Sequence, residues 1–398
     1  MIIAGGPWQM ALIRRASDMG LRTVVTDRSP DAPGRAVADV FHCIDMHDVG
    51  GLLRIARDER VDLVISDQTD RAVPVVARLN AALELPGIRP ETALRFTNKK
   101  AMRRALQGAG IPLPRHTTAG SLDEARSAAA KLGYPLVIKP LASQSSIGVF
   151  RIDDERQLVA RFDACRAESG GEILVEEYID GPEITVEGMA IAGRHHILAI
   201  SEKAHYPELP CVAFRLAYPA HLNGEMDRTL SAIADRAIEA RGLIDGLTHA
   251  EYRLRDGTPY LLEVAARGCG HGVVSTIVAH ASGVDVYGVL LRRLMGEDVD
   301  LPPLRRRAGL LEFFRLRPGR VRAVRGLEEA RRRGLAHCIH LPLAPGDTIS
   351  PPTNDTDRGG YFIVLDETRQ AVETKADEIR QLVQVVCNEH RALTIALL

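Results

Sequence analysis

The sequence has no closely spaced pair of cysteines, no long apolar run and no excess of charge of one sign. Its cysteines lie far apart, and none forms a C-x-x-C motif: Cys43, Cys165, Cys211, Cys269, Cys338 and Cys387. This spacing argues against a disulfide scaffold and a zinc site, and it favours reduced thiols and a cytoplasmic location. No stretch reaches the roughly 18 apolar residues of a membrane span, and the N-terminus does not resemble a signal peptide, so we expect no membrane partner.

The balance of charge argues against nucleic acid as a partner. The chain has 51 basic and 52 acidic residues, so its net charge of −1 creates no field that recruits a polyanion. Between Leu304 and Gly334, eleven arginines accompany three glutamates. A nucleic-acid patch would fit this charge, but the region lacks a recognised binding motif. We interpret it as a solvated surface at the subunit interface of a homodimer.

The length and the apolar patterns predict an α/β protein of several domains. At about 100–200 residues per domain, the 398 residues divide into roughly two to four domains. Strand and helix patterns alternate near the N-terminus, with a strand predicted at 61–66, which is typical of parallel βαβ units. Ligands of such sheets bind beyond the carboxyl ends of the strands, here near Gly5-Gly6 and Asp27. Because Gly5-Gly6 lacks the G-x-G-x-x-G fingerprint, we interpret it as a tight turn.

Two motifs further along the chain predict a phosphate-binding site. Asn98-Lys99-Lys100 opens a helix, and an apolar strand ends at Lys139. An ammonium group at such a position is costly without a partner, so Lys139 predicts a bound anion. The next loop has small residues whose N–H and hydroxyl groups can close over phosphate oxygens: Ser143, Ser145, Ser146 and Gly148. It is not a Walker loop, because it lies between two strands and lacks the terminal Gly-Lys-Ser/Thr.

A third motif predicts the nucleoside part of the same site. The strand at 173–178 runs into a turn, and Glu176, Glu177 and Ile179 present backbone N–H and C=O groups suited to the rim of adenine. Glu183 follows a Gly-Pro turn and can accept hydrogen bonds from ribose hydroxyls. The predicted ligand is therefore a nucleotide.

The fourth motif predicts a metal site. Glu251 and Glu263 are twelve residues apart around the turn Asp256-Gly257, so they come opposite each other on facing strands. Like charges at that spacing destabilise a hairpin unless a cation lies between them, and oxygen ligands beside phosphate favour Mg²⁺. Arg267 follows four residues later and can clamp a carboxylate or a developing oxyanion with its planar guanidinium.

In this order the motifs resemble those of the ATP-grasp superfamily, and the resemblance covers nearly the whole chain. It implies an α/β protein with an α+β lid and a Rossmann-like pre-ATP-grasp domain at 1–92. An ATP-grasp domain at 93–300 follows, with a lid subdomain at about 115–178. A mixed α/β extension at 301–398, with a helix predicted at 375–389, completes the large subdomain. The branch of L-amino-acid ligases and carbamoyl-phosphate-synthase-like chains is the most similar.

The resemblance also implies a role for each motif. Lys99 and Lys139 hold ATP phosphates, and loop 143–148 closes over the γ-phosphate. The remaining implied roles are the hinge (Glu176, Glu177, Ile179), the ribose acceptor (Glu183), the ligands of Mg²⁺ or Mn²⁺ (Glu251, Glu263) and the catalytic arginine (Arg267). In the implied reaction, ATP phosphorylates a small-molecule carboxylate, and an amine attacks the acyl phosphate to give an amide, ADP and phosphate.

The substrate pocket is less defined by the sequence. Lys203, His205 and Arg215 lie where related ligases form an acceptor pocket, with a surface position as the alternative reading of each. His271 either contacts substrate and shuttles a proton or has a structural role, and we interpret Cys269 as a small buried residue.

One residue departs from the family pattern. Ala265 stands where the family often has the Asn of Glu-x-Asn-x-Arg, and an alanine cannot bind metal. Two alternatives therefore stay open beside the ligase: an enzyme that activates bicarbonate, and a nucleotide-binding protein without catalysis.

Overall fold

The N-terminal alternation of patterns folds into a small parallel sheet. The computed structural model of the chain describes residues 1–388. Strands β1 (Ile2–Ile3), β2 (Val24–Asp27) and β3 (Val40–Cys43) pair in parallel, and the helices here are α1 (Met10–Asp18), α2 (Val49–Asp58) and α3 (Ala72–Ala82). The strand predicted at 61–66 is wrong in extent, because only Ile65 forms a bridge, to Ile2.

Two short helices lead into the central part of the chain. They are α4 (Pro90–Thr97) and α5 (Lys99–Ala105), and Asn98 separates them in an extended conformation. The Asn98 side chain accepts a hydrogen bond from the Ala101 N–H at 3.0 Å, which satisfies a donor that the first turn of α5 leaves free. This cap places Lys99 and Lys100 in that first turn, where adjacent side chains point in different directions.

A four-stranded unit follows at residues 116–177. Its elements are β4 (His116–Ala119), α6 (Leu122–Leu132), β5 (Leu136–Pro140), β6 (Phe150–Ile152), α7 (Glu155–Ser169) and β7 (Ile173–Glu177). The strands are antiparallel in the order β4-β7-β5-β6. Small residues on one face of α6 let it approach α7 and the sheet closely, and Ala125, Ala128 and Phe162 are buried between them.

An eight-stranded antiparallel sheet forms the centre of the molecule. Its first strands are β8 (Glu183–Ile191), β9 (Arg194–Tyr206), β10 (Leu209–Tyr218), β11 (Gly246–Arg255) and β12 (Thr258–Ala265), with α8 (Gly224–Glu239) between β10 and β11. A π-helical segment (Val274–Val278), α9 (Ala279–Ser282) and α10 (Val286–Leu294) follow. Every residue of β8 is buried, because separate hydrophobic cores cover its two faces.

The chain after residue 300 continues the same sheet. Its elements are β13 (Ala308–Phe313), β14 (Gly319–Arg325), α11 (Leu327–Arg332), β15 (Cys338–His340), β16 (Thr348–Ile349), β17 (Tyr361–Asp366), α12 (Arg369–Leu382) and β18 (Gln384–Cys387). The order β12-β11-β8-β9-β10-β13-β17-β15 shows that β13 pairs with β10, while β16, β14 and β18 form a separate small sheet. The helix predicted at 375–389 is wrong at both ends, since α12 begins earlier and β18 follows it. Residue 389 lies outside the described residues.

No single helix of residues 1–388 is long and apolar enough to cross a membrane. The segments Val274–Ser282 and Val286–Leu294 reach the required length and composition only as a pair, and they are bent by 99° relative to each other.

The turn between β7 and β8 generates a prediction about Gly181. Its φ is +136°, and a Cβ atom there would lie 1.9 Å from the Leu254 carbonyl oxygen, so no side chain fits. We expect Gly181→Ala to lower the free energy of unfolding by more than the about 1–3 kcal/mol that backbone strain alone costs. Urea unfolding measures this change.

Gly257→Ala is the matched control for this experiment. Gly257 also has a positive φ, of +73°, but no atom lies within 4 Å of the position that a Cβ atom would take there. We expect this variant to lose only about 1–2 kcal/mol. Equal losses in the two variants would contradict a steric role for Gly181.

Candidate active site

A deep cavity lies between the four-stranded unit and the large sheet. The space between its lining residues, including the part that opens to solvent, measures about 970 Å³. Most of the predicted site residues line it: Lys99, Lys139, Ser143, Ser145, Ser146, Glu176, Glu177, Ile179, Glu183, Lys203, Glu251, Glu263 and Arg267. Segments from positions 99 to 267 therefore converge on one space.

Lys99 and Lys100 have opposite environments although they are adjacent. Lys99 is 2% exposed, and its Nζ lies 3.0 Å from Glu263 Oε1 and donates to the Ser143 carbonyl at 3.2 Å. Lys100 points to solvent and pairs with Glu172 at 2.7 Å. Of the two, Lys99 is thus the lysine that faces the cavity.

Lys139 belongs to a buried group of three charged side chains. The Lys139 ammonium pairs with Glu176, and Arg103 Nη2 donates to the other Glu176 oxygen at 2.8 Å. Burial lowers the pKa of Lys139. Burial alone would raise the pKa of Glu176, but Lys139 and Arg103 outweigh it and hold this pKa below the ordinary value.

Two findings about this group go beyond the sequence analysis. Glu176 was predicted to act through its backbone, whereas its side chain is the central acceptor of the group. Arg103 was missed, although its spacing of four residues from Lys99 on α5 places the two side chains on one helix face.

The segment after β7 uses part of its backbone for internal bonds. The Glu177 N–H donates to the Arg115 carbonyl at 2.9 Å, and the Tyr178 N–H donates to the Pro135 carbonyl at 3.1 Å. Within the described residues the Ile179 N–H has no such partner, so it is the amide of this segment that is left for a ligand.

Glu183 lies among basic side chains at the edge of β8. Lys203 Nζ donates to Glu183 Oε1 at 2.8 Å, and His205 and Arg253 lie 3.2 and 3.3 Å from Oε2. Burial opposes ionisation, but Lys203 and His205 outweigh it and keep the pKa of Glu183 well below its ordinary value. Lys203 therefore lines the cavity, and its ammonium group is already paired with the Glu183 carboxylate.

The register predicted for the hairpin is confirmed. Glu251 on β11 is the direct partner of Glu263 on β12. Each carboxylate has its own ammonium group: Lys203 lies 2.5 Å from Glu251, and Lys99 lies 3.0 Å from Glu263. Two lysines from other elements therefore neutralise the pair in this structure.

A chain of three buried groups extends from Glu251 below the cavity. His249 Nδ1 lies 2.8 Å from Glu187 Oε1, and His249 Nε2 lies 3.2 Å from Glu251 Oε1. Burial lowers the pKa of His249, but Glu187 and Glu251 outweigh it and raise this pKa to about 9. The sequence signal for His249 was its position two residues before Glu251, which places both on one face of the strand.

Asp70, a residue of the N-terminal region that was not predicted to belong to the site, holds Arg267 in place. The Arg267 Nε and Nη2 donate to Asp70 Oδ2 at 3.0 and 2.7 Å. Burial opposes the charge of Arg267, but Asp70 outweighs it, so the pKa of this guanidinium is raised. Asp70 lies a few residues after Ile65, at the carboxyl edge of the parallel sheet where ligand-binding residues were expected.

The serine-rich loop is anchored from two directions. Ser146 Oγ donates to Asp355 Oδ2 at 2.8 Å, and the Asp355 N–H donates to the Ser145 carbonyl at 3.1 Å. On the other side, Gln144 Oε1 accepts from the Asp70 N–H at 2.9 Å. The C-terminal part of the chain, which carried no predicted site residue, therefore contributes Asp355 to the cavity wall.

Gly148 does not line the cavity, which corrects its predicted role. A Cβ atom at this position would lie 2.8 Å from Pro140 Cγ, and its φ is +71°. Gly148 therefore allows the end of the loop to approach Pro140 closely.

Arg215 and His271 also lie outside the cavity lining. Arg215 pairs with Glu312 and Glu373, on the face of the sheet that α12 covers, because a bulge between Ala213 and Arg215 shifts the alternation of β10. The prediction of a substrate contact at Arg215 is therefore wrong for this structure.

His271 is part of an aromatic cluster. Its ring centroid lies 4.7 Å from that of Trp8, 4.9 Å from that of Phe313 and 5.6 Å from that of Tyr361. Burial and the charge of Arg358 lower the pKa of His271 to about 3. The structural reading of His271 fits this environment, whereas a proton shuttle near neutral pH does not.

Comparisons with known proteins agree with this geometry. The ATP-grasp domain matches residues 132–276, and the L-amino acid ligase C-terminal domain 2 matches residues 312–388. The crystal structure of an L-amino acid ligase from Bacillus licheniformis superposes with a TM-score of 0.82 at 25% identity, and the match covers 98% of each chain.

Curated relatives match smaller parts of the chain. The uncharacterized protein y4rH of Sinorhizobium fredii is 28% identical over 305 residues, which are 75% of this chain and 63% of that protein. A formate-dependent phosphoribosylglycinamide formyltransferase of Paraburkholderia xenovorans is 31% identical over 185 residues, 45% of this chain and 46% of that enzyme. The matched regions thus span about half to two thirds of these relatives.

The fold, the cavity and the matched domains together define an ATP-grasp protein. The chain therefore carries an ATP-grasp domain followed by an L-amino acid ligase C-terminal domain, and its fold matches that of an L-amino acid ligase. The resemblance stated from the motif order is confirmed.

The raised pKa of His249 generates a prediction about stability and pH. The folded protein keeps a proton on His249 up to about pH 9, whereas the unfolded chain loses it near pH 6.5. The contribution of this proton to the free energy of unfolding is fully present below pH 6.5 and is lost as the pH rises through about 9. We expect the stability advantage of the wild type over His249→Gln to shrink across that window, in urea unfolding with a metal chelator present.

His221→Gln is the control, because His221 is an exposed histidine that also pairs with a glutamate, Glu202. A difference between the wild type and His249→Gln that stays constant across this window would disprove the assignment.

Proposed function

We propose that the chain is an ATP-dependent, ADP-forming ligase that joins a carboxylate and an amine of amino-acid-like substrates in an amide or peptide bond. The observation that supports this most is the convergence of three kinds of group on one cavity. These are the lysines Lys99 and Lys139, the hairpin carboxylates Glu251 and Glu263, and the guanidinium of Arg267. Phosphoryl transfer needs such positioning and charge neutralisation more than covalent help from the protein.

The cavity fits ATP in the order of its groups. The Ile179 amide and Glu183 would hold the nucleoside at one end. Lys99 and Lys139 would hold the phosphates, and the serine-rich loop would cover the γ-phosphate.

The carboxylates fit Mg²⁺, with Mn²⁺ as a substitute. Glu251 and Glu263 offer hard oxygen ligands on adjacent strands, and in this structure they pair with Lys203 and Lys99. A bound Mg²⁺ would neutralise part of the phosphate charge. Ala265 lines the cavity without a ligand atom, so fewer protein ligands are available than in the usual family pattern.

The proposed reaction has two steps. A carboxylate oxygen of the first substrate attacks the γ-phosphorus, the bond to the β-phosphate oxygen breaks, and ADP leaves. The amine nitrogen of the second substrate then attacks the acyl carbon and loses a proton as phosphate leaves. Arg267, oriented by Asp70, would stabilise the negative charge on the reacting oxygens in both steps.

A second candidate function is nucleotide binding without turnover. Two observations favour it: Ala265 in place of a metal ligand, and a loop whose Ser146 hydroxyl already binds Asp355. ADP binding without phosphate release across a broad panel of amino acids would support this candidate over the ligase.

We also propose a cytoplasmic location and a homodimeric state. All six cysteines are free thiols, which suits a reducing compartment. The proposal of a homodimer is supported by the arginine-rich surface alone. A measurement of the molar mass of the purified chain by light scattering would test it.

The contrast between two neighbouring lysines generates a prediction about nucleotide affinity. We expect Lys99→Met to weaken ATP binding about 10- to 100-fold, because it removes a charge-assisted contact worth about 1.5–3 kcal/mol. Lys100→Met should bind as the wild type does, since its ammonium pairs with Glu172 at the surface. Calorimetric titration measures both, and equal losses would contradict a phosphate role for Lys99.

The decisive test of the ligase is phosphate release over pairs of amino acids. We expect at least one pair to stimulate release from ATP, and Glu263→Gln to slow it at least about 100-fold, because one metal ligand is lost. Glu297→Gln, which changes an exposed glutamate outside the cavity lining, is the control and should match the wild type.

Two results would count against these assignments. Release by Glu263→Gln at the wild-type rate would show that the metal ligands are misassigned. Release that depends on bicarbonate and needs no amine would replace the ligase by a carboxylase.

A further inference from the structure

Three donor groups that the proposed reaction does not use lie together beside the cavity, and His249 is the one that lines it. They are the carboxylate of Glu187 on β8, the imidazole of His249 on β11 and the thiol of Cys269 in the loop after β12. One donor atom from each lies within 4.8 Å of the other two. A carboxylate, an imidazole and a thiol at this spacing form a set that a divalent ion can bind together.

We propose that Glu187, His249 and Cys269 bind a thiophilic divalent ion such as Zn²⁺, at a site separate from that of Mg²⁺. The proposal does not rest on the ligase activity. It follows from the donor chemistry, from an unsatisfied carboxylate oxygen and from the way the imidazole is oriented.

The Glu187 carboxylate has an oxygen without a partner. Glu187 is 1% exposed, and its Oε2 forms no hydrogen bond within the described part of the chain. Its other oxygen, Oε1, contacts His249 at 2.8 Å and Tyr218 at 3.3 Å. A buried carboxylate oxygen without a partner is costly, and a bound cation would remove that cost.

Both ring nitrogens of His249 face carboxylates, so an ion bound at Nδ1 would replace the proton that Glu187 and Glu251 otherwise stabilise on this ring. Its Nδ1 faces Glu187, its register partner across β8 and β11, while its Nε2 lies 3.2 Å from Glu251. Metal-bound histidines commonly donate their second N–H to a carboxylate, which fixes the ring and its tautomer. Glu251 would play that outer role, so the new site would touch the predicted Mg²⁺ site through one imidazole.

Cys269 supplies the ligand that selects the ion. Burial raises the pKa of this thiol, so it is no free nucleophile, but a metal ion can displace its proton. The neighbouring Gly268 N–H donates to Asp67 at 2.7 Å, which fixes the loop beside the two strands. A thiolate with an imidazole favours Zn²⁺ over Mg²⁺, because Mg²⁺ prefers oxygen ligands.

Cobalt substitution of the whole chain tests the site directly. Co²⁺ bound to a thiolate gives a charge-transfer absorption that Co²⁺ bound to oxygen and nitrogen alone does not give. We expect one Co²⁺ per chain with this absorption, displaced by Zn²⁺ and unaffected by an excess of Mg²⁺. Absorption without the thiolate signal would overturn the proposal.

Two cysteine variants provide the comparison. Cys269→Ser should lose the thiolate signal and weaken Zn²⁺ binding by more than the roughly 10- to 100-fold typical of losing an outer-shell partner. Cys211→Ser, which changes a cysteine that lines the cavity, should keep the signal. A signal that survives in Cys269→Ser, or disappears in Cys211→Ser, would assign the ion elsewhere.

A measurement on the unmodified protein covers the case in which Cys269→Ser does not fold. The X-ray absorption at the zinc edge of the wild type loaded with one Zn²⁺ should show a sulfur ligand at about 2.3 Å. A coordination shell of oxygen and nitrogen alone would refute the site. Neither readout involves ATP, so failure here is separate from failure of the proposed ligase.

Discussion

The structure depends on the pairing of lysine ammonium groups with carboxylates inside one cavity. Lys99, Lys139 and Lys203 are each held by a glutamate from another segment, namely Glu263, Glu176 and Glu251. A buried charge without a partner costs several kcal/mol, so these pairs allow the cavity to exist without a ligand. The pairs are not equivalent, because Arg103 also holds Glu176 whereas Glu263 has Lys99 alone in this set. Glu251 and Glu263 would hold the cation of a metal nucleotide, which would leave Lys99 free to contact its phosphates.

Local patterns in the sequence predicted the parts of this cavity that short segments determine. The pairing of Glu251 with Glu263 was predicted, but the two-residue turn alone would place Glu251 opposite Leu262. A bulge between Glu251 and Tyr252 shifts the register by one residue and brings the two carboxylates opposite each other. The Asn98 cap and the helix that follows it similarly predicted the position of Lys99. The order of the motifs then predicted the ATP-grasp fold, because this order resembles that of the ATP-grasp superfamily.

Contacts between distant segments could not be predicted in the same way. Asp70 contacts Arg267 across 197 positions, and Asp355 contacts Ser146 across 209 positions, so no spacing rule connects them. The two lysines that neutralise the hairpin carboxylates were not predicted for the same reason: Lys99 and Lys203 come from other elements of the fold. The prediction for Arg215 is wrong for a local reason, since a single bulge in β10 reverses the face on which its side chain lies.

The serine-rich loop shows how a departure from the family pattern can follow from such distant contacts. Ser145 and Ser146 have φ values of 59° and 58°, a conformation that glycine adopts at lower cost. Each such residue costs about 1–2 kcal/mol, so a side chain here needs a compensating contact. The Ser146 hydroxyl lies within hydrogen-bond distance of two acceptors, Asp355 Oδ2 and the Cys211 carbonyl, and it donates its one proton to this pair, which a glycine could not do. Serine in this loop therefore binds the C-terminal segment to the cavity, and a phosphate group that recruits this hydroxyl must compete with Asp355 for it.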